Sequence, residues 1–152
     1  LEMVSAQRPG TVYDVYCGTG TISLALSRSC GQVVGVEIVP DSIRAARENA
    51  ALNDIGNCRF VEGDAFAVLD GLVGAPDLVV VDPPRMGMHP KALTKLASYG
   101  LDEILYISCN PKTFSENMAS LSYADYRLDA LKVYDNFPYT KHIELAARIV
   151  RR

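Results

Sequence analysis

The segment YISCNP, Tyr106 to Pro111, sets a cysteine between a run of strand-forming residues and the start of a helix. Asn110 is a good N-cap and Pro111 a good first helical residue, so Cys109 stands at a helix N-terminus, a position that favours a negatively charged sulfur. A thiolate is a nucleophile able to form a covalent intermediate. Glu144, in KHIEL, is a carboxylate flanked by apolar Ile143 and Leu145, a setting that suits a group taking a proton from a substrate. Other residues read as binding chemistry. Gly18 and Gly20 in DVYCGTGTIS permit a tight turn and a close approach of backbone to ligand, and the helix after them offers free N–H groups. Glu37, about 20 residues further on, is placed to accept hydrogen bonds from both hydroxyls of a ribose. Together these fit any adenosine-containing cofactor; Ser23 stands where the dinucleotide fingerprint has its third glycine, so the glycine pattern taken alone also reads as a plain strand-to-helix turn. Asp64 in EGDA and Asp82 in DPPR close two further strands, and the two prolines fix φ and hold the Asp82 carboxyl at its strand end.

These side chains need a scaffold that brings strand ends together, and the apolar pattern supplies one. Short apolar runs predict strands at Thr11–Tyr16, Gln32–Ile38, Cys58–Glu62, Asp77–Asp82, Glu103–Ser108, Tyr126–Tyr134 and Ile143–Val150. VVGVEI, DLVVV and EILYI are nearly continuous apolar runs, as strands buried on both faces of a parallel sheet require. Amphipathic stretches lie between them: Asp41 is expected to cap SIRAARENAALN, with Ile43, Ala46 and Ala50 on one face, and Phe114, Met118 and Leu121 share a face after Pro111. The last two strands are separated only by the loop Asn136–Lys141, which predicts an antiparallel hairpin at one edge. The expectation is an α/β fold: a doubly wound, mostly parallel sheet in which ligands bind beyond the carboxyl ends of the strands.

With 152 residues, 49% of them hydrophobic, the chain suffices for one domain with its own core and is too short for two. No apolar run of ~18 residues and no leader-like segment is present, so a cytoplasmic protein without membrane association is expected. The cysteines Cys17, Cys30, Cys58 and Cys109 lack a C-x-x-C pair and nearby histidines at ligand spacing, which argues against zinc and against a disulfide framework. Cys30 and Cys58 read as small buried hydrophobes and Cys17 as packing beside the glycine turn. His89 and His142 read as surface or packing histidines. Because the first strand signal arrives at Val12 and Leu1 opens the sequence, the chain is expected to be a fragment of a longer protein.

DVYCGTGTISLAL, VDPPRMG, YISCNPKTFSENM and DNFPYTKHIELAA, in this order, resemble the catalytic domain of the RNA uracil-5 methyltransferases that act on tRNA and ribosomal RNA, and the resemblance covers nearly the whole chain. It implies a class I, Rossmann-like methyltransferase with S-adenosylmethionine as cofactor. It also implies cofactor contacts at Asp14, Gly18, Gly20, Glu37, Asp64 and Asp82, and a target-base side formed by Asp82 and Arg85. Carbon 5 of a pyrimidine is a poor nucleophile, and addition of a thiolate to carbon 6 activates it. In that scheme Cys109 is the nucleophile and Glu144 the base that removes the carbon 5 proton. The expected product is 5-methyluridine in RNA, with ribosomal RNA favoured over transfer RNA. Two other readings stand beside it, an amino-group methyltransferase using the DPPR turn and a cofactor-binding module without catalysis. The family also carries an N-terminal RNA-binding domain and a glutamine motif upstream of the first strand, both outside these residues, so the chain alone is expected to be inactive. Its 15 basic against 18 acidic residues lack the basic stripe of phosphate-driven RNA binding; Lys91, Lys95, Lys112, Arg148, Arg151 and Arg152 are candidates for one basic rim, with solvated surface charge the default reading for each.

Overall fold

The computed structural model describes residues 8–65, 67, 68, 76–136 and 138–152. In chain order the elements are β1 Thr11–Val15, α1 Thr21–Ser27, β2 Gln32–Glu37, α2 Pro40–Leu52, β3 Cys58–Glu62, β4 Leu78–Val81, α3 Pro90–Ser98, β5 Glu103–Ser108, α4 Pro111–Ser122, β6 Tyr126–Tyr134 and β7 Glu144–Arg151. Among the described residues, seven strands form one sheet in the order β3-β2-β1-β4-β5-β7-β6. The pairs within β3-β2-β1-β4-β5 are parallel, and β7 runs antiparallel between β5 and β6. The sheet is therefore the doubly wound one that the sequence implied, with β7 rather than β6 joining the hairpin to the parallel strands.

The central strands are apolar on both faces because both faces are covered. Tyr13, Val15, Val34, Val36, Val79, Val81 and Ile104 turn into a core shared with α3 and α4, while Val12, Val33, Leu78 and Val80 pack with Leu26 of α1 on the other side. All four residues of β4 are buried, as a central parallel strand demands. At the other extreme, β6 is an edge strand in which only Tyr126 is buried. No helix among the described residues is long and apolar enough to cross a membrane.

Two expectations need correction. Asp41 does not cap α2: the helix starts at Pro40 with Val39 as N-cap. Proline needs no capping acceptor and its fixed φ suits the first helical position. Asp41 lies in the first turn instead and pairs with Arg44 at 2.9 Å. The other correction concerns strand ends. β1 stops at Val15 because Tyr16 takes a left-handed backbone, φ 68°, and β2 and β4 likewise end one residue short of Ile38 and Asp82. Asp82 and Cys109 thus stand just outside the ladders, whereas Glu37 and Glu144 are the end residues of theirs. Phe137 of the DNFPYT loop lies outside the described residues.

Candidate active site

The glycine turn is built at the end of β1, at the point where the strand order reverses between β1 and β4. The N–H groups of Tyr16 and Cys17 both donate to the Val36 carbonyl, at 2.9 and 3.1 Å, which swings the chain out of the sheet. Gly18 and Gly20 follow with φ of 53° and 84°. A Cβ on Gly20 would lie 3.0 Å from the Phe60 ring and 3.1 Å from the Ala46 Cβ, so this position requires glycine for its conformation and for its space. Asp14 sits behind the turn. It is fully buried, and the Ser23 hydroxyl donates to its Oδ2 at 2.5 Å, whereas its Oδ1 has no partner. Burial pushes the Asp14 carboxyl up to about 7, a direction to which the charge of Asp82 adds.

Glu37 ends β2 and faces the turn. Its Oε2 accepts from the Gly18 N–H at 3.2 Å, and its Oε1 accepts from the N–H groups of Ile38 and Val39 at 2.8 and 3.0 Å. Asp64 is exposed beyond β3, where its Oδ1 accepts from the Ala67 N–H at 3.4 Å. Burial raises the Tyr16 hydroxyl, and so do the charges of Asp64 and Glu37. Both carboxylates therefore act on the space around Tyr16. Ile38, 61% exposed, adds apolar surface directly after Glu37. Val15, Tyr16, Ala65, Val81 and Met88 line an apolar recess at the same end of the sheet.

On the other side of the switch point, Asp82 follows β4 and its N–H donates to the Val15 carbonyl at 3.2 Å. Its carboxyl is raised above the ordinary carboxylate value by burial first and then by the charge of Glu144. Glu144 begins β7 and pairs with Tyr134 of β6. Ser108 pairs with Leu145, so Cys109 and Glu144 are the next residues outward on adjacent strands. Cys109 is half-buried. Asn110 is the N-cap of α4, its Oδ1 accepting from the Lys112 N–H at 3.1 Å, with Pro111 at the first helical position. Arg85 reaches His142 Nδ1 at 3.2 Å, joining the DPPR loop to the segment that leads into Glu144. Cys109, Glu144, Asp82 and Arg85 are thus assembled on one side of the crevice, and Gly18, Gly20, Glu37 and Asp64 on the other.

Some sequence readings of the surroundings hold and others do not. Burial pushes the Cys17 thiol up to about 12 and the Cys58 thiol up to about 11, and Cys30 is buried, as residues used for packing should be. The basic residues do not form one rim. Lys91 and Lys112 lie in the first turns of α3 and α4, but Arg148 is held by Asp129, Lys95 stacks over the Tyr99 ring at 5.6 Å, and Arg151 and Arg152 end β7 at the opposite margin of the sheet, bonded to Gly100 and Asp125. His142, read as a surface histidine, contacts Arg85. Sequence reasoning also missed Tyr16, whose left-handed backbone no composition rule announces, and Asn117, a buried amide on α4. The one sequence signal for Asn117 was its position, three residues after Phe114 on the apolar face of that helix.

Residues 75–152 match the family model of the tRNA (uracil-5-)-methyltransferases, and residues 12–99 match that of a methyltransferase domain. A Clostridium tetani protein named as an RNA methyltransferase is 38% identical over 151 residues, which are 99% of this chain and 33% of that protein. The chain spans about a third of the length of the curated relatives it matches. The crystal structure of Pyrococcus abyssi tRNA (uracil-54, C5)-methyltransferase in complex with S-adenosyl-L-homocysteine superposes with a TM-score of 0.83 at 34% identity, covering 98% of this chain and 36% of that one. A Geobacter metallireducens precorrin-6y C5,15-methyltransferase shares the fold alone, with a TM-score of 0.81 at 18% identity. The match over residues 75–152 takes in the DPPR turn, the SCNP helix start and the strand opening with Glu144, and by it the chain belongs to the tRNA (uracil-5-)-methyltransferase family.

Proposed function

We propose that the chain is the catalytic part of a longer enzyme that methylates carbon 5 of a uridine in RNA, with S-adenosylmethionine as donor. The observation that supports it most directly is the placing of a cysteine and a glutamate as successive outward residues of the Ser108–Leu145 pair, beside the Asp82 turn.

The residues of the first half-site fit the cofactor. The left-handed glycines bring backbone close to a ligand, Glu37 offers a carboxylate to the ribose, and Tyr16 and Ile38 offer apolar surface. Of the roughly four acceptor directions of a carboxylate, Glu37 uses three on main-chain donors, so a ribose diol engages it by sharing or displacing the Gly18 N–H. When bound, S-adenosylmethionine supplies an electrophilic methyl on a positively charged sulfur.

In the second half-site the Cys109 thiolate adds to carbon 6 of the uracil ring, forming a C–S bond and pushing the electron pair of the 5,6 double bond toward the carbonyl at carbon 4. Carbon 5 then bonds to the methyl, whose bond to the sulfonium sulfur breaks with the electron pair going to sulfur, leaving S-adenosylhomocysteine. Glu144 takes the proton from carbon 5, the 5,6 double bond is restored, and the C–S bond breaks to return the thiolate. Asp82 and Arg85 line the base side, and a uridine reaches them by leaving its stack. With 15 basic and 18 acidic residues, the chain leaves most RNA affinity to the rest of the protein.

The test is to incubate the full-length protein with S-adenosylmethionine carrying a labelled methyl and with ribosomal or transfer RNA, then digest to nucleosides. Label in 5-methyluridine supports the reading, with ribosomal RNA the expected acceptor. Label confined to amino-methylated nucleosides, or none with either RNA, overturns it.

A further inference from the structure

Asn117 is two helical turns from Cys109 along α4 and only 8% exposed. Its amide forms a double bridge to the main chain of Met88: Oδ1 accepts from the Met88 N–H at 2.8 Å, and Nδ2 donates to the Met88 carbonyl at 3.4 Å. The same Oδ1 accepts from the Tyr106 hydroxyl at 2.6 Å, and Tyr106 lies on β5 three residues before Cys109. Its ring meets that of Phe114 edge to face, with centroids 5.3 Å apart. One buried side chain therefore joins the loop after Asp82, the strand that leads to Cys109 and the helix that begins beyond it.

The turn of α4 nearer to Cys109 repeats the arrangement. Asn110 Nδ2 and Thr113 Oγ1 both donate to the Arg85 carbonyl, at 2.9 and 3.2 Å. Asn110, Thr113 and Asn117 recur at i, i+3 and i+7, on one face of the helix. Between their attachment points, Gly87 closes a turn by donating its N–H to the Pro84 carbonyl at 2.7 Å. Gly87 has φ +76°, and a Cβ there would come 2.8 Å from Asn117 Oδ1 and 3.1 Å from the Thr113 Cβ. The loop is thus seated on the helix with no room for another side chain.

We propose that Asn117, assisted by Thr113, is a positioning residue for the methyl-transfer reaction: it locks the loop carrying Asp82 and Arg85 to the helix start carrying Cys109, so that base-side and nucleophilic groups meet the uracil as one rigid unit. This rests on the role of Cys109 given above. Removing the amide takes away the acceptor that the Met88 N–H and the Tyr106 hydroxyl share and the donor to the Met88 carbonyl, in a buried place where lost hydrogen bonds are costly, and the loop must re-seat. A misplacement of ~1 Å at a reacting centre costs on the order of 100-fold in rate.

The experiment uses the full-length protein and four variants. Asn117→Leu keeps the volume and removes the hydrogen bonds; Asn117→Asp keeps an acceptor for both donors; Thr113→Val removes, from a half-buried site, the hydroxyl shared between the Arg85 and Asn110 carbonyls; Cys109→Ala is the reference for the reaction itself. For Asn117→Leu, kcat is expected to fall on the order of 10- to 100-fold, with the dissociation constant for S-adenosylhomocysteine within about twofold of wild type. Hydrogen exchange at the Met88 amide should accelerate while amides of β1 stay protected. Asn117→Asp should recover most of kcat, and Thr113→Val should lower kcat with an unchanged melting temperature. A wild-type kcat in Asn117→Leu overturns the inference, as does a loss of kcat matched by an equal loss of cofactor affinity. If Asn117→Leu does not fold, a wild-type kcat in Thr113→Val overturns it. Formation of 5-methyluridine by Cys109→Ala would overturn the covalent reading instead, and is scored separately in the same assay.

Discussion

Cys109 follows Ser108, and Glu144 precedes Leu145, the residue with which Ser108 pairs across the β5–β7 ladder. Of the two groups that an addition and elimination at one pyrimidine ring would need, Glu144 is thus held in the strand register, and Cys109 stands one residue beyond it, between β5 and the N-cap of α4. Antiparallel pairing is what makes this work: β5 reaches the ligand end of the sheet at its carboxyl terminus and β7 at its amino terminus, so residues 35 apart in sequence arrive together. Asp82, just beyond β4, lies close enough for the charge of Glu144 to raise its carboxyl, after the larger effect of burial.

The separate roles proposed for this pair have separate consequences. Cys109→Ala in the full-length protein is expected to abolish both methylation and covalent capture of RNA. Glu144→Gln leaves attack and methyl transfer intact but removes the acceptor for the carbon 5 proton, so a methylated protein–RNA adduct should accumulate, seen as a shifted band on a denaturing gel and by its mass. Normal turnover by Glu144→Gln would assign the base to another group.

At the cofactor side, Glu37→Ala is expected to weaken S-adenosylhomocysteine binding by roughly 10- to 100-fold, since hydrogen bonds to a charged group contribute about 1.5–3 kcal/mol. Titration calorimetry reads this directly. An unchanged dissociation constant would remove Glu37 from the site and leave it only its bonds to Gly18, Ile38 and Val39.

The two glycines of the turn should differ when substituted. Both have positive φ, which costs an L-residue about 1–2 kcal/mol. Gly18 has open space where a Cβ would go, whereas at Gly20 a Cβ meets the Phe60 ring and Ala46, adding an overpacking cost of about 1–3 kcal/mol. Gly20→Ala is therefore expected to lower the calorimetric melting temperature further than Gly18→Ala. The reverse order would mean that α2 and β3 yield at that contact.

These contrasts also mark what the sequence could reveal. Strand positions were legible to within about a residue at most ends, because buried parallel strands are continuous apolar runs, and the candidate site residues were chosen by the rule that ligands bind beyond the carboxyl ends of strands. Asp41 misled because its side chain is a good cap, while Pro40 beside it removes the need for one. Asn117 was invisible for a different reason: its partners Tyr106 and Met88 are 11 and 29 residues away, and only the folded chain brings them to one amide. The basic residues show the same limit: Arg148 is held in mid-strand by Asp129, and Arg151 and Arg152 lie at the margin opposite the crevice, placements set by the course of β7.

Asp14 gives a prediction whose sign runs against the usual behaviour of a carboxylate. In the unfolded chain an aspartate titrates near 3.9; in the fold, burial pushes Asp14 up to about 7, against the hydrogen bond from Ser23 and with added repulsion from Asp82. Well below pH 4 the group is protonated in both states and has no effect. Between about pH 4 and 7 the folded state holds a proton that the unfolded state has released, so stability falls as pH rises, and above 7 the loss is complete, on the order of 4 kcal/mol. Asp14→Asn removes this titration while keeping an oxygen for the Ser23 hydroxyl. The variant is expected to gain stability on wild type between pH 4.5 and pH 8, measured by urea unfolding at both values. A difference between the two proteins that stays constant with pH would show that Asp14 is already ionised in the folded state, with its unpartnered Oδ1 satisfied by a group other than its own proton.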